Sequence, residues 1–101
     1  MRKPACRKGD KVITGHECTK ETVLDKPTQK KVVAEKKPIA RLGDTTVVHT
    51  VSGKNCIDSH VGEILTASTT VLVGGIGIAR VDDKCDAGML TEGSSTVLVG
   101  G

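Results

Sequence analysis

The 101-residue chain contains no Phe, Tyr or Trp. The side chains that usually bury the largest apolar areas are therefore missing, so any core must consist of Val, Ile, Leu, Ala and Thr. Such a core is thin in a chain of this length, which has room for one small domain. Small domains with a thin core usually need a further staple, such as a disulfide bond, a metal ion or a partner chain.

Long apolar runs are also missing. No apolar segment follows the basic N-terminus as it would in a secretory signal peptide, and no stretch approaches the roughly 18 apolar residues of a membrane span. We expect the protein to be made in the cytoplasm. Without an export signal, the four cysteines (Cys6, Cys18, Cys56 and Cys85) are expected to be reduced thiols or metal ligands.

The common catalytic motifs do not occur. Glu17 and Glu63 each adjoin or approach a histidine, but neither stands in an HExxH spacing. No serine lies in a G-x-S-x-G turn, and the glycines of "VGGIGIAR" are not followed by GK[ST]. We therefore predict that the protein is not an enzyme, and a zinc-dependent hydrolase is the least favoured reading.

Charge is distributed unevenly. Residues 1–41 carry a net charge of +7 and residues 42–101 carry −4. The cations of the first segment are scattered, and no aromatic residue is present to stack a nucleobase, so a solvated lysine-rich face is the favoured interpretation. The alternative is a stand-alone zinc-binding β module that contacts acidic ligands or nucleic acid through residues 1–41.

Two phrases recur along the chain. "GEILTASTTVLVGG" at 62–75 aligns without a gap on "GMLTEGSSTVLVGG" at 88–101, and "KPACRKGD" at 3–10 resembles "KPIARLGD" at 37–44 and "GIARVDD" at 77–83. Each unit reads as a Val-rich strand, a two-residue turn such as Gly74-Gly75, and a return strand. We expect the final strand, which ends the chain, to need no return strand.

These units predict an all-β fold of short hairpins with pseudo-threefold symmetry, because each unit is too short to bury a core alone. The acidic residue that closes each unit is Asp10, Asp44, and either Asp82 or Asp83; it is expected to accept hydrogen bonds from backbone N–H groups. Helix signals are weak, and "HVGEIL" at 60–65 is the single candidate.

Potential metal ligands follow the Asp-containing phrases. His16, His49 and Cys85 come shortly after them, and His60 lies in the longest loop. Scattered His and Cys in a small domain are usually surface or core residues, and no compact CxxC or HxxxH pair occurs here. The repeat register nevertheless favours convergence of these four residues on one axis, where three imidazoles and a thiolate suit a closed, tetrahedral, structural Zn²⁺ site.

The other cysteines are interpreted differently. Cys6 occupies the position of Ala40 and Ala79 in the other repeats, so it is expected to be a small packed residue. Cys18 lies two residues from His16 and Cys56 four residues from His60, so either could replace a predicted ligand.

The repeated phrases resemble PAAR-repeat proteins, named for a Pro-Ala-Ala-Arg motif. "KPACR" and "KPIAR" stand for that motif, Gly77 replaces its Pro in the third copy, and Val81-Asp82-Asp83 departs from the family's Gly-Asp. The resemblance covers nearly the whole chain and weakens over the lysine-rich residues 17–31. It implies one domain over 1–101 without an effector extension, a small cone stapled near its vertex by one zinc, and the ligands His16, His49, His60 and Cys85.

The resemblance also implies a function. PAAR proteins cap the trimeric spike, VgrG or its phage tail-spike equivalent, of type VI secretion systems and related contractile phage tails, with one PAAR chain per trimer. The expected role is that of a structural tip that sharpens the spike for membrane piercing and can carry effector proteins. It would contact the target membrane transiently, and no nucleic-acid partner is expected.

Overall fold

The computed structural model describes residues 2–52 and 56–101, so the predicted domain is covered apart from Met1 and residues 53–55. These residues form short strands and no α-helix, which confirms the predicted all-β fold. The strands are β1 (Lys3–Pro4), β2 (Lys11–Ile13), β3 (Glu21–Val23), β4 (Val33–Ala34), β5 (Lys37–Pro38), β6 (His49–Ser52), β7 (Asp58–His60), β8 (Leu72–Val73), β9 (Ile76–Gly77), β10 (Lys84–Cys85), β11 (Gly88–Leu90) and β12 (Leu98–Val99).

The helix hint at "HVGEIL" is wrong. His60 ends β7, while Glu63 and Ile64 form antiparallel bridges to Thr45 and Cys85. Tertiary pairing thus decides the conformation of this short segment. Among the described residues there is no helix with the length and apolar character needed to cross a bilayer.

Three two-stranded hairpins form one layer, which we call the hairpin layer: β4–β5, β8–β9 and β1–β12. The β8–β9 turn is Gly74-Gly75 with φ of 59° and 82°, as predicted for a tight hairpin turn. In the β4–β5 turn, Glu35 and Lys36 take the same left-handed conformation, with φ of 47° and 67°.

The third member of the hairpin layer is an antiparallel pair of the first and last strands, which no turn connects. Lys3 of β1 pairs with Val99 of β12, and Pro4 pairs with Leu98. The expectation that the last strand has no return strand is therefore wrong, because β1 is that return strand. Pairing also satisfies strand edges that would otherwise be exposed.

A ring of backbone hydrogen bonds gives the fold its pseudo-threefold axis. Cys6 N–H donates to the carbonyl of Ala79 (2.9 Å), Ala79 N–H donates to Ala40 (3.0 Å), and Ala40 N–H donates to Cys6 (2.9 Å). All three residues are fully buried. The ring leaves room for small side chains, and it confirms the prediction that Cys6 is a packed residue equivalent to the two alanines.

The closing aspartates act as predicted. Oδ2 of Asp10, Asp44 and Asp83 accepts a hydrogen bond from the backbone N–H of the arginine three residues earlier, at 2.7–2.8 Å. The third copy therefore uses Asp83. Asp82 occupies the position of the glycine and has the same left-handed backbone, with φ of 78°.

Two apolar clusters fill the interior. The first belongs to the hairpin layer and includes Ala5, Ile39 and Ile78, each immediately before a member of the ring. The second includes the three residues of the ring and forms a second layer with the equivalent residues Leu24, Ile64 and Leu90 and with Val12 and Cys85. This second layer also contains the sheet β10-β11-β2-β3 and the hairpin β6–β7, and the whole body measures 41 × 25 × 23 Å.

Candidate metal centre

The three histidines come from two structural elements of the second layer. His16 follows β2 in the connection to β3, where its N–H donates to Oγ1 of Thr14 (3.1 Å). His49 begins β6 and His60 ends β7, and the two residues are directly paired across that hairpin. The pairing brings their side chains to one place although 11 residues separate them.

The turn between β10 and β11 brings an acidic side chain to the same place. Asp86 begins this turn with a left-handed backbone (φ 57°), and its N–H donates to the carbonyl of Glu63 (3.0 Å). Close approach requires glycines on both sides. A Cβ on Gly62 would lie 2.6 Å from Cβ of Asp86, and one on Gly15 would lie 2.3 Å from the carbonyl oxygen of Ala87.

Three imidazole nitrogens meet the carboxylate of Asp86. Nε2 of His16 lies 2.9 Å from Oδ1, and Nε2 of His49 and His60 lie 2.8 and 2.9 Å from Oδ2. One ligand atom from each of the four residues lies within 4.8 Å of the others. We call this group the His₃Asp cluster.

The hydrogen bond of Nδ1 of His49 fixes which ring nitrogen carries the proton. Nδ1 of His49 lies 3.0 Å from the carbonyl oxygen of Val47, which accepts only, so Nδ1 carries a proton. In a neutral ring Nε2 then presents a lone pair to the carboxylate of Asp86 and to Nε2 of His60, 3.1 Å away. A positive charge among these atoms, a proton or a metal cation, is required to offset their repulsion.

The donor set therefore fits a metal cation. Imidazole nitrogen and carboxylate oxygen are both ordinary Zn²⁺ ligands. The carbonyl of Val47 supplies the outer contact that usually orients a metal-binding histidine. These residues could hold a metal ion, with the carboxylate of Asp86 as the fourth donor in place of the predicted Cys85 thiolate.

The ionisation of Asp86 agrees with that role. Burial alone would raise the pKa of its carboxyl group, but the close contacts with the imidazoles of His60, His16 and His49 outweigh burial and lower the pKa below its usual value. The group is therefore anionic at neutral pH, which is the form that binds a cation.

The structure does not bring Cys85, the predicted fourth ligand, into the cluster. Its side chain is fully buried in the second apolar cluster beside Val12 and Leu90, and burial raises the pKa of its thiol to about 12. Cys85 stands two residues after Asp83, as Val12 and Thr46 stand two residues after Asp10 and Asp44, and all of these positions point inward. Its neighbour Asp86 reaches the cluster instead.

The sequence contains a signal that favours Asp86 over Cys85 as the fourth member of the cluster. Counting from the closing aspartate puts Cys85 in register with a buried valine and threonine, which indicates a core position. The same count leaves Asp86, the residue after Cys85, as a carboxylate able to face the other way.

Cys18 and Cys56, considered as alternative ligands, are joined to each other in a disulfide bond with their Cα atoms 5.7 Å apart. The expectation of reduced thiols is therefore wrong for this pair. The bond ties the connection that follows His16 to the segment that enters β7. Cys6 and Cys85 are free and buried, so the expectation holds for them.

Comparison with known proteins agrees with these repeats. Residues 54–101 match the family model of the PAAR motif. A search of curated proteins found no match. The matched segment contains the third Arg-Asp turn, the β8–β9 hairpin and Asp86, and the same turn geometry recurs at Arg7 and Arg41. The chain therefore contains a PAAR motif over residues 54–101, as its repeated phrases predicted.

Proposed function

We propose that the protein is a structural tip that caps the blunt end of a trimeric spike, VgrG or its phage tail-spike equivalent, in a contractile injection machine. The PAAR family is associated with spike tips. One chain would bind one trimer, because the three similar strand pairs of the hairpin layer can each contact one of three identical subunits. The protein would lie at the end of the spike, make transient contact with the target membrane, and be able to carry effector proteins.

The observation that carries this proposal is a threefold set of exposed apolar side chains in the hairpin layer. Val33, Leu72 and Leu98 occupy equivalent positions in the three hairpins and are exposed by 49%, 51% and 51%. Apolar side chains that recur around an axis and face solvent indicate a contact surface. Their arrangement supports a partner with matching threefold symmetry.

The His₃Asp cluster is proposed to staple the second layer. His16, His49, His60 and Asp86 would hold a Zn²⁺ ion, whose binding contributes free energy to folding that a core without aromatic residues does not supply. Four protein donors fill a tetrahedral coordination shell, so no position is left for a reactive water. The closed donor set supports a structural rather than catalytic role.

The proposal is tested by measuring binding to a VgrG-like or phage tail-spike trimer encoded beside the protein's gene. We expect one chain per trimer with micromolar or tighter affinity. Leu72→Asp and Leu98→Asp should each weaken binding at least tenfold, since a charge would be buried against the partner.

Ile57→Asp is the matched control, because Ile57 is 74% exposed but directly precedes β7 of the second layer. This variant should bind the trimer as the wild type does. Lack of any binding at micromolar concentrations, or equal weakening by Ile57→Asp and Leu72→Asp, would overturn the proposal.

A further inference from the structure

Two of the three repeated arginines have their charge neutralised by carboxylates. Arg80 donates through Nε and Nη2 to both oxygens of Asp83 (3.0 and 3.1 Å). Arg7 makes the same contacts with Asp10 (2.9 Å each), and its Nη1 also donates to Oε1 of Glu35 at 2.7 Å. Glu35 reaches Arg7 from the turn of the neighbouring hairpin β4–β5.

Arg41, the equivalent residue of the second repeat, has no such partner. Its Nη1 donates to the carbonyl of Val73 (2.9 Å) and its Nη2 to Oγ1 of Thr28 (2.7 Å), both neutral acceptors. Its Nε is buried without an acceptor, and its guanidinium forms no ion pair within residues 2–52 and 56–101. The side chain is only 9% exposed, so a buried cation lacks a direct counter-charge.

Two sequence differences explain this exception. Thr28 stands between Arg41 and Asp44, because its hydroxyl and N–H both donate to Oδ1 of Asp44 (2.8 and 3.2 Å). In addition, Gly74 holds the position of Glu35, 39 residues further along the repeat and with a similar left-handed backbone (φ 59° and 47°). A Cβ on Gly74 would lie 3.1 Å from Nη1 of Arg41.

The space beside Arg41 is a cleft of about 500 Å³. Its lining includes Thr28, Gln29, Lys30, Lys31, Arg41 and Gly74, with three cations and no acidic residue. A smaller cleft next to it shares Lys30 and adds Lys8 and Lys26. Lys8 and the lysines of residues 17–31 thus add positive charge near the guanidinium of Arg41.

We propose that this cleft binds the carboxylate of a glutamate or aspartate side chain from a partner polypeptide, with Arg41 as its main contact. The Arg7–Glu35 pair supplies the template. Arg7 is the equivalent of Arg41 in the first repeat, and its guanidinium binds a carboxylate that the protein itself provides. Val32 and Val73 flank the cleft and suit the aliphatic stem of such a side chain. Guanidinium and carboxylate form strong, directional hydrogen bonds.

The identity of the polypeptide rests on the proposed function, since a spike trimer that covers the hairpin layer would bring its acidic side chains to this rim. The carboxylate site itself does not depend on that assignment. Its test therefore uses no spike protein, and its failure can be told apart from failure of the capping role.

The experiment is an NMR titration of the ¹⁵N-labelled full chain with N-acetyl-glutamate α-amide, whose single carboxylate is the side-chain group. N-acetyl-glutamine amide is the uncharged control, and ionic strength is held constant. We expect a saturable shift of the Arg41 Nε–H resonance with a millimolar dissociation constant. The Nε–H resonances of Arg7 and Arg80 should not move, because each already donates to its aspartate.

Gly74→Glu and Gly74→Gln form a matched pair with the same backbone strain. Gly74→Glu should fill the site, abolish the titration shift and melt at a higher temperature than Gly74→Gln. An equal response to the glutamine derivative, a shift without saturation, or tighter binding of inorganic phosphate than of the blocked glutamate would overturn the proposal. The wild-type titration decides the matter even where a variant does not fold.

Discussion

Nε2 of His49 lies 2.8 Å from Oδ2 of Asp86, although the two residues are 37 positions apart in the chain. The contact joins the β6–β7 hairpin to the β10–β11 turn and holds the His₃Asp cluster together. The side chain of Asp86 thus faces the cluster, whereas the side chain of its neighbour Cys85 faces the apolar interior.

The first prediction distinguishes these two neighbours as metal ligands. Asp86→Asn should lower zinc affinity at least about tenfold, because an amide replaces an anionic donor. Cys85→Val, which places a side chain like that of Val12 in the equivalent position, should retain stoichiometric zinc. Metal analysis and competition with a chelator measure both effects. Loss of zinc from Cys85→Val with retention by Asp86→Asn would restore Cys85 as the fourth ligand.

The second prediction concerns the approach of Gly62 to the cluster. Gly62→Ala should lower the free energy of unfolding by about 1–3 kcal/mol and weaken zinc binding, since its Cβ would lie 2.6 Å from Cβ of Asp86. Gly100→Ala is the control, because its Cβ would meet Arg2 at an ordinary 3.8 Å. Urea unfolding of both variants should show a change in the first alone, and equal stability would contradict the crowding described here.

The third prediction is a pH dependence at Glu35. Hydrogen bonds from Thr96 and Ser94, followed by Arg7, lower the pKa of its carboxyl group from the usual 4.5. A group with a lowered pKa in the folded state stabilises the protein above its unfolded pKa, and this stabilisation is lost as pH falls through the folded value. Wild type should therefore be more stable than Glu35→Gln at about pH 7, with the gap closing below about pH 4.

Comparing the two proteins at each pH cancels effects that they share, including protonation of the histidines. An NMR titration of the Glu35 carboxyl group supplies the pKa directly. A gap that stays constant down to the acid limit would mean that the charge of Glu35 contributes nothing to stability.

The fourth prediction concerns thiol chemistry. Burial raises the pKa of both Cys6 and Cys85, in the latter case to about 12, so neither forms a reactive thiolate at neutral pH. Iodoacetamide should label no cysteine in the native protein, two after unfolding, and four after unfolding with reduction. Mass spectrometry counts the adducts. Labelling of four cysteines without a reductant would exclude the Cys18–Cys56 disulfide.

Repetition made the hairpin layer predictable. The paired glycines at 74 and 75 required a left-handed turn, and the recurrent position of Cys6, Ala40 and Ala79 required a small buried side chain. Both features depend on local backbone geometry that each copy repeats. The three aligned repeats therefore give the same indication of local structure independently of one another.

Features that depend on differences between copies were harder to predict. The fourth member of the His₃Asp cluster depends on the direction of one side chain in a two-residue strand, and the Cys18–Cys56 bond depends on the proximity of two irregular connections. Composition also argued against that bond, since no export signal is visible. The pairing of β1 with β12 was missed because it joins the most distant parts of the sequence.

The pairing of Lys3 with Val99 bears on how the chain acquires its structure. Almost the entire sequence must be in place before this hairpin and the ring through Cys6 and Ala79 can close, so the entropy of closing a very long loop is lost before those contacts form. Domains in which distant parts of the sequence pair fold slowly, and the ring requires one residue from each of the three repeats. A ribosome-bound chain would thus lack this pairing and a closed ring until β12 has emerged.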